Sequence, residues 1–198
     1  MAVSIKIFKQ EAKFVAGVAK VDQFPRLVLP QVAFIGKSNV GKSSLINKLC
    51  NRRALASVSH TPGRTQQINF FSLEEKLLLA DLPGYGFAKV SGKQRANWEI
   101  LITHYLNHSE DLKLVNLLID SRRGFKTNDF RIIEFLKDAE RDFQVIFTKA
   151  DQIKSHTDFI NEMQKILALQ GCDNNIILTS SKNNLGIKEL QYSTVKNI

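Results

Sequence analysis

Val32-Ala33-Phe34-Ile35-Gly36-Lys37-Ser38-Asn39-Val40-Gly41-Lys42-Ser43-Ser44-Leu45-Ile46-Asn47 is the stretch on which the fold turns. It opens with an apolar run of strand type and closes on residues compatible with a helix. Between them lies a complete G-x-x-x-x-G-K-S loop, Gly36 to Ser43. Strand, glycine-rich loop and helix in that order is the setting in which this pattern cradles phosphate. Glycines at both ends let the backbone wrap closely round a phosphate where a Cβ would clash. The exposed amides and the helix N-terminus supply partial positive charge to a polyanion. Lys42 is placed to reach the β- and γ-phosphates, and Ser43 to offer its hydroxyl to Mg²⁺. Incidental glycine-rich turns can match the same pattern, so the identity of the nucleotide rests on what lies outside it.

Outward from this loop, apolar runs of strand type recur at Gln67–Leu73, Leu77–Ala80, Leu114–Ile119, Phe143–Phe147 and Asn175–Leu178. Helical periodicity covers Lys42–Asn51, Lys93–Asn107, Asn128–Glu140, Ser155–Gln170 and Gly186–Lys196. Six strands interleaved with five helices predict an α/β, doubly wound domain with a mostly parallel sheet of about six strands and helices on both faces. Only Glu74-Glu75-Lys76 separates Gln67–Leu73 from Leu77–Ala80. A parallel crossover needs a dozen or more residues, so this pair must be a hairpin, which adds one antiparallel edge strand. Residues 1–22 read as a basic lead-in of undetermined structure, and residues 23–198 as one nucleotide-binding domain.

Three further motifs follow in order. Asp81-Leu82-Pro83-Gly84 ends the second hairpin strand; its aspartate is placed to hold Mg²⁺ through water and its glycine amide to meet the γ-phosphate. Thr148-Lys149-Ala150-Asp151 ends the strand Phe143–Phe147. A carboxylate at Asp151 can accept from N1–H and the 2-amino group of guanine, donors that adenine cannot supply. The stem of Lys149 can cover one face of the base. Compared with the Asn-Lys-x-Asp guanine motif, Thr148 replaces asparagine, a change expected to weaken one polar tie between the base loop and the phosphate loop. Thr179-Ser180-Ser181-Lys182 resembles a Ser-Ala-Lys loop whose backbone amide meets guanine O6, with Ser181 in the middle position. Between the first helix and Asp81, the loop Thr61-Pro62-Gly63-Arg64-Thr65 offers two threonines to Mg²⁺ and the γ-phosphate. Thr65, nearer the strand, is preferred, and Thr61 is the alternative.

Composition bounds the setting. The 198 residues are 43% hydrophobic and 24% charged, as in an ordinary soluble domain. No apolar run approaches the roughly 20 residues of a membrane span, and no secretory signal opens the chain. Cys50 and Cys172 have no metal-ligand spacing and read as reduced thiols of a cytoplasmic protein. The net charge of +9 sits in the first third: residues 1–65 carry eleven Lys/Arg against Glu11 and Asp22, so 11 − 2 = +9. Such a concentration suggests a polyanionic partner beyond the nucleotide, with ordinary solvated lysines as the plainer reading.

The phosphate loop, Thr61-Pro62-Gly63-Arg64-Thr65-Gln66-Gln67-Ile68-Asn69-Phe70-Phe71, Asp81-Leu82-Pro83-Gly84-Tyr85-Gly86-Phe87-Ala88, Asp120-Ser121-Arg122-Arg123-Gly124 and Thr148-Lys149-Ala150-Asp151 together resemble the EngB/YsxC (YihA) group of bacterial GTPases. The resemblance covers about residues 14 to 190. It departs at Lys37, where arginine is usual, and in the tail Tyr192–Ile198. It implies a monomeric, cytoplasmic GTPase without a membrane partner that binds GTP or GDP with Mg²⁺ and assists assembly of the large ribosomal subunit, with ribosomal RNA or that subunit as partner and a link to cell division and septation. It further implies nucleotide contacts from residues 36–44 (Ser44 included), 63–65, 81–84, 148–151 and 179–182. The implied metal ligands are Ser43, Thr65 and Asp81, and Lys42, Thr65 and Gly84 would serve hydrolysis. Related potassium-dependent GTPases use an asparagine at the place of Asn39, which makes K⁺ a candidate activator; simple stabilisation of the loop is the alternative role. Tyr85 stands where Ras-like GTPases carry a water-orienting glutamine, so intrinsic turnover should be slow, or Tyr85 is a packing residue. A passive GTP sensor is the competing function. An ATPase or small-molecule kinase is disfavoured by Asp151.

Overall fold

The computed structural model describes residues 4–26, 28–56, 67–85 and 92–198. Its strands are β1 (Ala12–Val18), β2 (Gln31–Gly36), β3 (Ile68–Leu73), β4 (Leu77–Asp81), β5 (Leu112–Asp120), β6 (Phe143–Thr148) and β7 (Ile176–Leu178). Its α-helices are α1 (Lys42–Leu49), α2 (Gly92–His108), α3 (Thr127–Asp138), α4 (His156–Ala168) and α5 (Ile187–Lys196). Every position of β2, β4 and β6 is buried. Strands covered on both faces are mostly apolar, which is why they stand out as near-continuous runs rather than alternations, with Gln31, Asp81, Gln144 and Thr148 as buried polar positions.

The seven strands form one sheet in the order β1-β3-β4-β2-β5-β6-β7. β2 pairs in parallel with β4 and β5, and β5-β6-β7 continue in parallel. β3 runs antiparallel to β4 across the tight turn, as the short connection requires. Among the described residues the sheet has seven strands, one more than the sequence indicated, because β1 from the basic lead-in pairs antiparallel with β3, from Ala12↔Leu73 to Val18↔Ile68. β1 carries weak signal: only Val18 is fully buried, and a register shift between Phe14 and Ala16 interrupts its alternation. A 3-10 turn just before it, Ile5–Lys9, buries Ile7 and Phe8.

Two apolar layers cover the sheet. On one face, Ile7 and Phe8 join Leu45, Ile46 and Leu49 of α1 and Ile187 and Leu190 of α5. On the other, Leu101 and Tyr105 of α2, Ile133 and Leu136 of α3, and Met163 and Leu167 of α4 pack on β5 and β6. Despite its unusual tail sequence, α5 runs to Lys196 and buries Thr194. Among the described residues, no helix is long and apolar enough to cross a membrane.

Candidate nucleotide-binding site

Strand order reverses at β2, which lies between β4 and β5. Ligands of open α/β sheets bind beyond the carboxyl ends of the strands at such a switch point. Here that edge receives Gly36 from β2, Asp81 from β4, Asp120 from β5 and Thr148 from β6. The motifs, far apart in sequence, therefore converge through topology, and hydrogen bonds join them.

The phosphate loop turns through Asn39, whose φ is 62°, and enters α1 at Lys42. Gly36 is required for a reason the motif alone does not reveal: a Cβ there would lie 2.8 Å from the Leu118 carbonyl of β5. Close approach of neighbouring strands therefore requires glycine at this position as well. Lys37 and Asn39 are exposed, Ser38 is half-buried and Val40 is buried. Ser43 and Ser44 occupy the first turn of α1, half-buried at its N-terminus. The ammonium of Lys42 is ion-paired with Asp81, both buried. Each charge satisfies the other where water is largely excluded.

The Asp81–Tyr85 segment lies directly on this loop. Leu82 N–H donates to the Phe34 carbonyl at 3.0 Å, Tyr85 N–H to Gly36 at 3.2 Å, and Ser38 N–H to Tyr85 at 3.2 Å. A side chain at position 84 would have its Cβ 3.1 Å from Ser38 N and 3.3 Å from the Gly36 carbonyl. Leu82, Pro83 and Gly84 are all buried. Tyr85 is half-buried, and its hydroxyl donates to Asp129 Oδ1 at 2.5 Å. Burial, then the neighbouring Asp129 charge, push the phenol pKa upward. Tyr85 thus occupies the packing role that was one of its two readings.

In the base loop, Thr148 Oγ1 donates to the Val40 carbonyl at 2.6 Å. The expected weakening is therefore corrected: a threonine hydroxyl spans the gap that the longer asparagine would fill, and the polar tie to the phosphate loop is kept. Lys149 adopts a left-handed backbone, φ 59°, and its ammonium donates to the Asn39 carbonyl at 2.9 Å and to Asp120 Oδ2 at 2.8 Å. Asp151 is half-buried; Ser180 Oγ donates to its Oδ1 at 2.6 Å, and Lys182 N–H donates to Ser180 Oγ at 3.2 Å. Ala150 N–H donates to the Thr179 carbonyl at 3.0 Å, so the two base-side loops form one unit. Ser181 lies half-buried beside them.

Thr61, Gly63, Arg64 and Thr65 lie outside the described residues. The chain leading to them is held by Asn47, whose side-chain amide donates to the Ala56 carbonyl at 2.8 Å and accepts from Ala56 N–H at 2.7 Å. Neither Asn47 nor Asp120 had been given a role from sequence. A polar residue within an apolar helical face was the available signal for Asn47.

A family model described as "50S ribosome-binding GTPase" matches residues 31–149, from β2 to the lysine of the base loop. "Probable GTP-binding protein EngB" of Rickettsia bellii (strain OSU 85-389) is 54% identical over 191 residues, covering 96% of this chain and 90% of that protein. The protein of the same name from Rickettsia prowazekii (strain Madrid E) is 52% identical over 188 residues, 95% of this chain and 88% of its own. This chain belongs to the EngB family of GTP-binding proteins. It binds GTP and is a P-loop GTPase. Solved structures agree on the fold: a probable GTP-binding protein engB has a TM-score of 0.68 at 24% identity, covering 83% of this chain and 97% of its own. A point variant of Era from Aquifex aeolicus, bound to GDP and AlF4⁻, has a TM-score of 0.72 at 24% identity, covering 86% of this chain and 57% of Era.

Proposed function

We propose that this protein is a guanine-nucleotide switch in assembly of the large ribosomal subunit, hydrolysing GTP slowly with Mg²⁺ and docking on ribosomal RNA or the subunit in one nucleotide state. The match of residues 31–149 to a family described as 50S ribosome-binding GTPases carries the reading. Era, solved with MgGDPNP and nucleotides 1506–1542 of 16S ribosomal RNA, shares the fold at a TM-score of 0.68 and 22% identity; its RNA is that of the small subunit, so it bears on the fold and not on the choice of subunit. A monomer in the cytoplasm, without a membrane partner and linked to division and septation, completes the proposal.

In this reading Lys42 meets the β- and γ-phosphates, the Gly84 amide the γ-phosphate, and Asp151 the guanine edge. Gly36 to Ser44, Leu82, Pro83, the Thr148–Asp151 loop, Thr179 to Lys182, and Gly63, Arg64 and Thr65 complete the nucleotide contacts. Ser43, Asp81 and Thr65 are the Mg²⁺ ligands. The buried Asp81 carboxylate and the Ser43 hydroxyl at the start of α1 are hard oxygen donors of the kind that ion prefers. Mg²⁺ there would neutralise charge developing on the phosphates. Asn39 is exposed, and its side-chain amide makes no hydrogen bond among the described residues, which leaves its oxygen available to K⁺. K⁺ there would supply positive charge near the transferring phosphoryl group.

The deciding experiment measures GTP turnover with and without purified 50S subunits, and 50S co-sedimentation with GDP against a non-hydrolysable GTP analogue. Nucleotide-dependent co-sedimentation with accelerated turnover is expected. Equal pelleting in both states without acceleration would replace the switch by a passive GTP sensor. Single-turnover rates in KCl and NaCl, for the native chain and Asn39→Ala, test K⁺: faster turnover in KCl that vanishes in the variant is expected, and equal rates exclude it.

A further inference from the structure

Asp120-Ser121-Arg122 closes β5 at the nucleotide edge, and neither GTP binding nor hydrolysis has given it work. Its carboxylate receives four donors. Arg122 approaches as a fork, Nε to Oδ1 at 2.8 Å and Nη2 to Oδ2 at 2.6 Å. Arg122 N–H adds 3.1 Å to Oδ1, and Lys149 Nζ donates to Oδ2 at 2.8 Å. The same fork reaches Gln152 Oε1 at 3.4 Å, one residue past Asp151. Burial raises the Asp120 pKa, but the hydrogen bonds from Arg122 and then Lys149 outweigh it and hold the carboxyl well below the usual carboxylate range.

Lys149 needs such a fixture. A lysine stem carries about 2 kcal/mol of rotamer entropy, and the residue also stands in the left-handed backbone region. Its ammonium has three protons; one goes to the Asn39 carbonyl of the phosphate loop and another to Asp120. With head and backbone both fixed, the stem is stretched between phosphate loop and base loop, where it can lie along a base. Were Asp120 neutral or absent, the stem would regain its freedom and binding would have to order it again.

We propose that Asp120, clamped by Arg122, is a positioning residue for Lys149, and that through Lys149 it sets how tightly the pocket holds a guanine nucleotide, independent of phosphate number. The proposal rests on the assignment of the guanine pocket to Lys149 and Asp151.

The test is equilibrium titration with fluorescent mant-GDP and mant-GTP. Asp120→Asn should raise both Kd values about tenfold, the scale of one hydrogen bond between charged groups, and leave their ratio unchanged. Arg122→Ala, on an exposed side chain, should act in the same direction by about threefold and serves if Asp120→Asn proves unstable. In a Lys149→Met background, Asp120→Asn should have no further effect, since the coupling runs through that ammonium. Asp120→Glu, which keeps the charge, should restore part of the loss. Because Asp120 stays ionised across the range, the Asp120→Asn defect should be the same at pH 5.5 and 8. Native-like affinity in Asp120→Asn and Arg122→Ala, additivity with Lys149→Met, or a defect confined to GTP would each overturn the proposal. Asp151→Asn, run in parallel, separates the two failures. If it loses GTP while Asp120→Asn does not, the positioning role alone falls; if it keeps GTP, the pocket assignment falls with it.

Discussion

Thr148 and Asp151, three residues apart, show what one side chain can decide. Asp151 Oδ1 accepts from Ser180 Oγ, and its Oδ2 is not used in that bond. Asp151→Asn should weaken GTP by about 2–3 kcal/mol, as for a hydrogen bond to a charged group, and should favour xanthosine triphosphate, whose 2-oxo group needs a donor. Competition of the two nucleotides against mant-GDP checks this, and an unchanged preference would refute the role of Asp151. Thr148→Val keeps the shape but deletes the hydroxyl that donates to Val40. It should weaken GDP and GTP equally, whereas Thr148→Asn should retain the tie. The role proposed for Asp151 could be formulated from sequence because it depends on residue type alone. The tie through Thr148 could not, since it depends on how near β6 brings that hydroxyl to the phosphate loop. Cys50 belongs to the same scale: burial pushes its thiol pKa up to about 12. Cys50 of the native protein should therefore be labelled by a thiol reagent at neutral pH only as fast as the protein unfolds, as followed in Cys172→Ser.

Between elements, the Asp81–Tyr85 segment is the connector that matters most. Its backbone is bonded to β2 and the phosphate loop, while the Tyr85 hydroxyl reaches Asp129 in the first turn of α3. Asp129 also accepts from Lys126 N–H at 2.8 Å, so the same carboxylate caps the helix. Tyr85→Phe should cost about 1 kcal/mol of stability, measured by urea denaturation, with the α3 cap preserved. Gly84→Ala should do more harm to nucleotide binding than to stability, because the added methyl presses on Ser38 N and Gly36 rather than on the core. Elements buried on both faces were legible beforehand: β2, β4 and β6 are predominantly apolar runs, with polar Gln31, Asp81, Gln144 and Thr148 among them, and α1 and α3 to α5 followed their periodicity closely. β1 was not, because an edge strand buries little and its partner lies far along the chain. The turn at Glu74-Glu75-Lys76 was legible as a hairpin because its length forbids anything else.

Across the whole molecule, the charge excess has a location. Lys6, Lys9, Lys13, Arg52 and Arg53 are all exposed near the β1 edge and the end of α1, and Arg52 also donates to the Gln10 carbonyl at 3.0 Å. If this face meets RNA, 50S association should fall steeply with salt through counterion release, and Arg53→Glu should flatten that slope while leaving GTP affinity intact. Salt-independent association would return these residues to ordinary solvated positions. Removing residues 1–20 should lower stability by at least about 4 kcal/mol, because Ile7, Phe8 and Val18 leave the core, and calorimetry would register it.

The pairing of β1 with β3 also bears on how the chain assembles. Some 50 residues separate Val18 from Ile68, and the phosphate loop with α1 lies inside the ring that this contact closes. Tying off a ring of that length costs on the order of 3 kcal/mol of chain entropy, and an edge strand returns little of it until its neighbours exist. β1 should therefore dock late, after the parallel centre has formed. During synthesis on a ribosome it must wait, unpaired, until the hairpin that receives it has emerged.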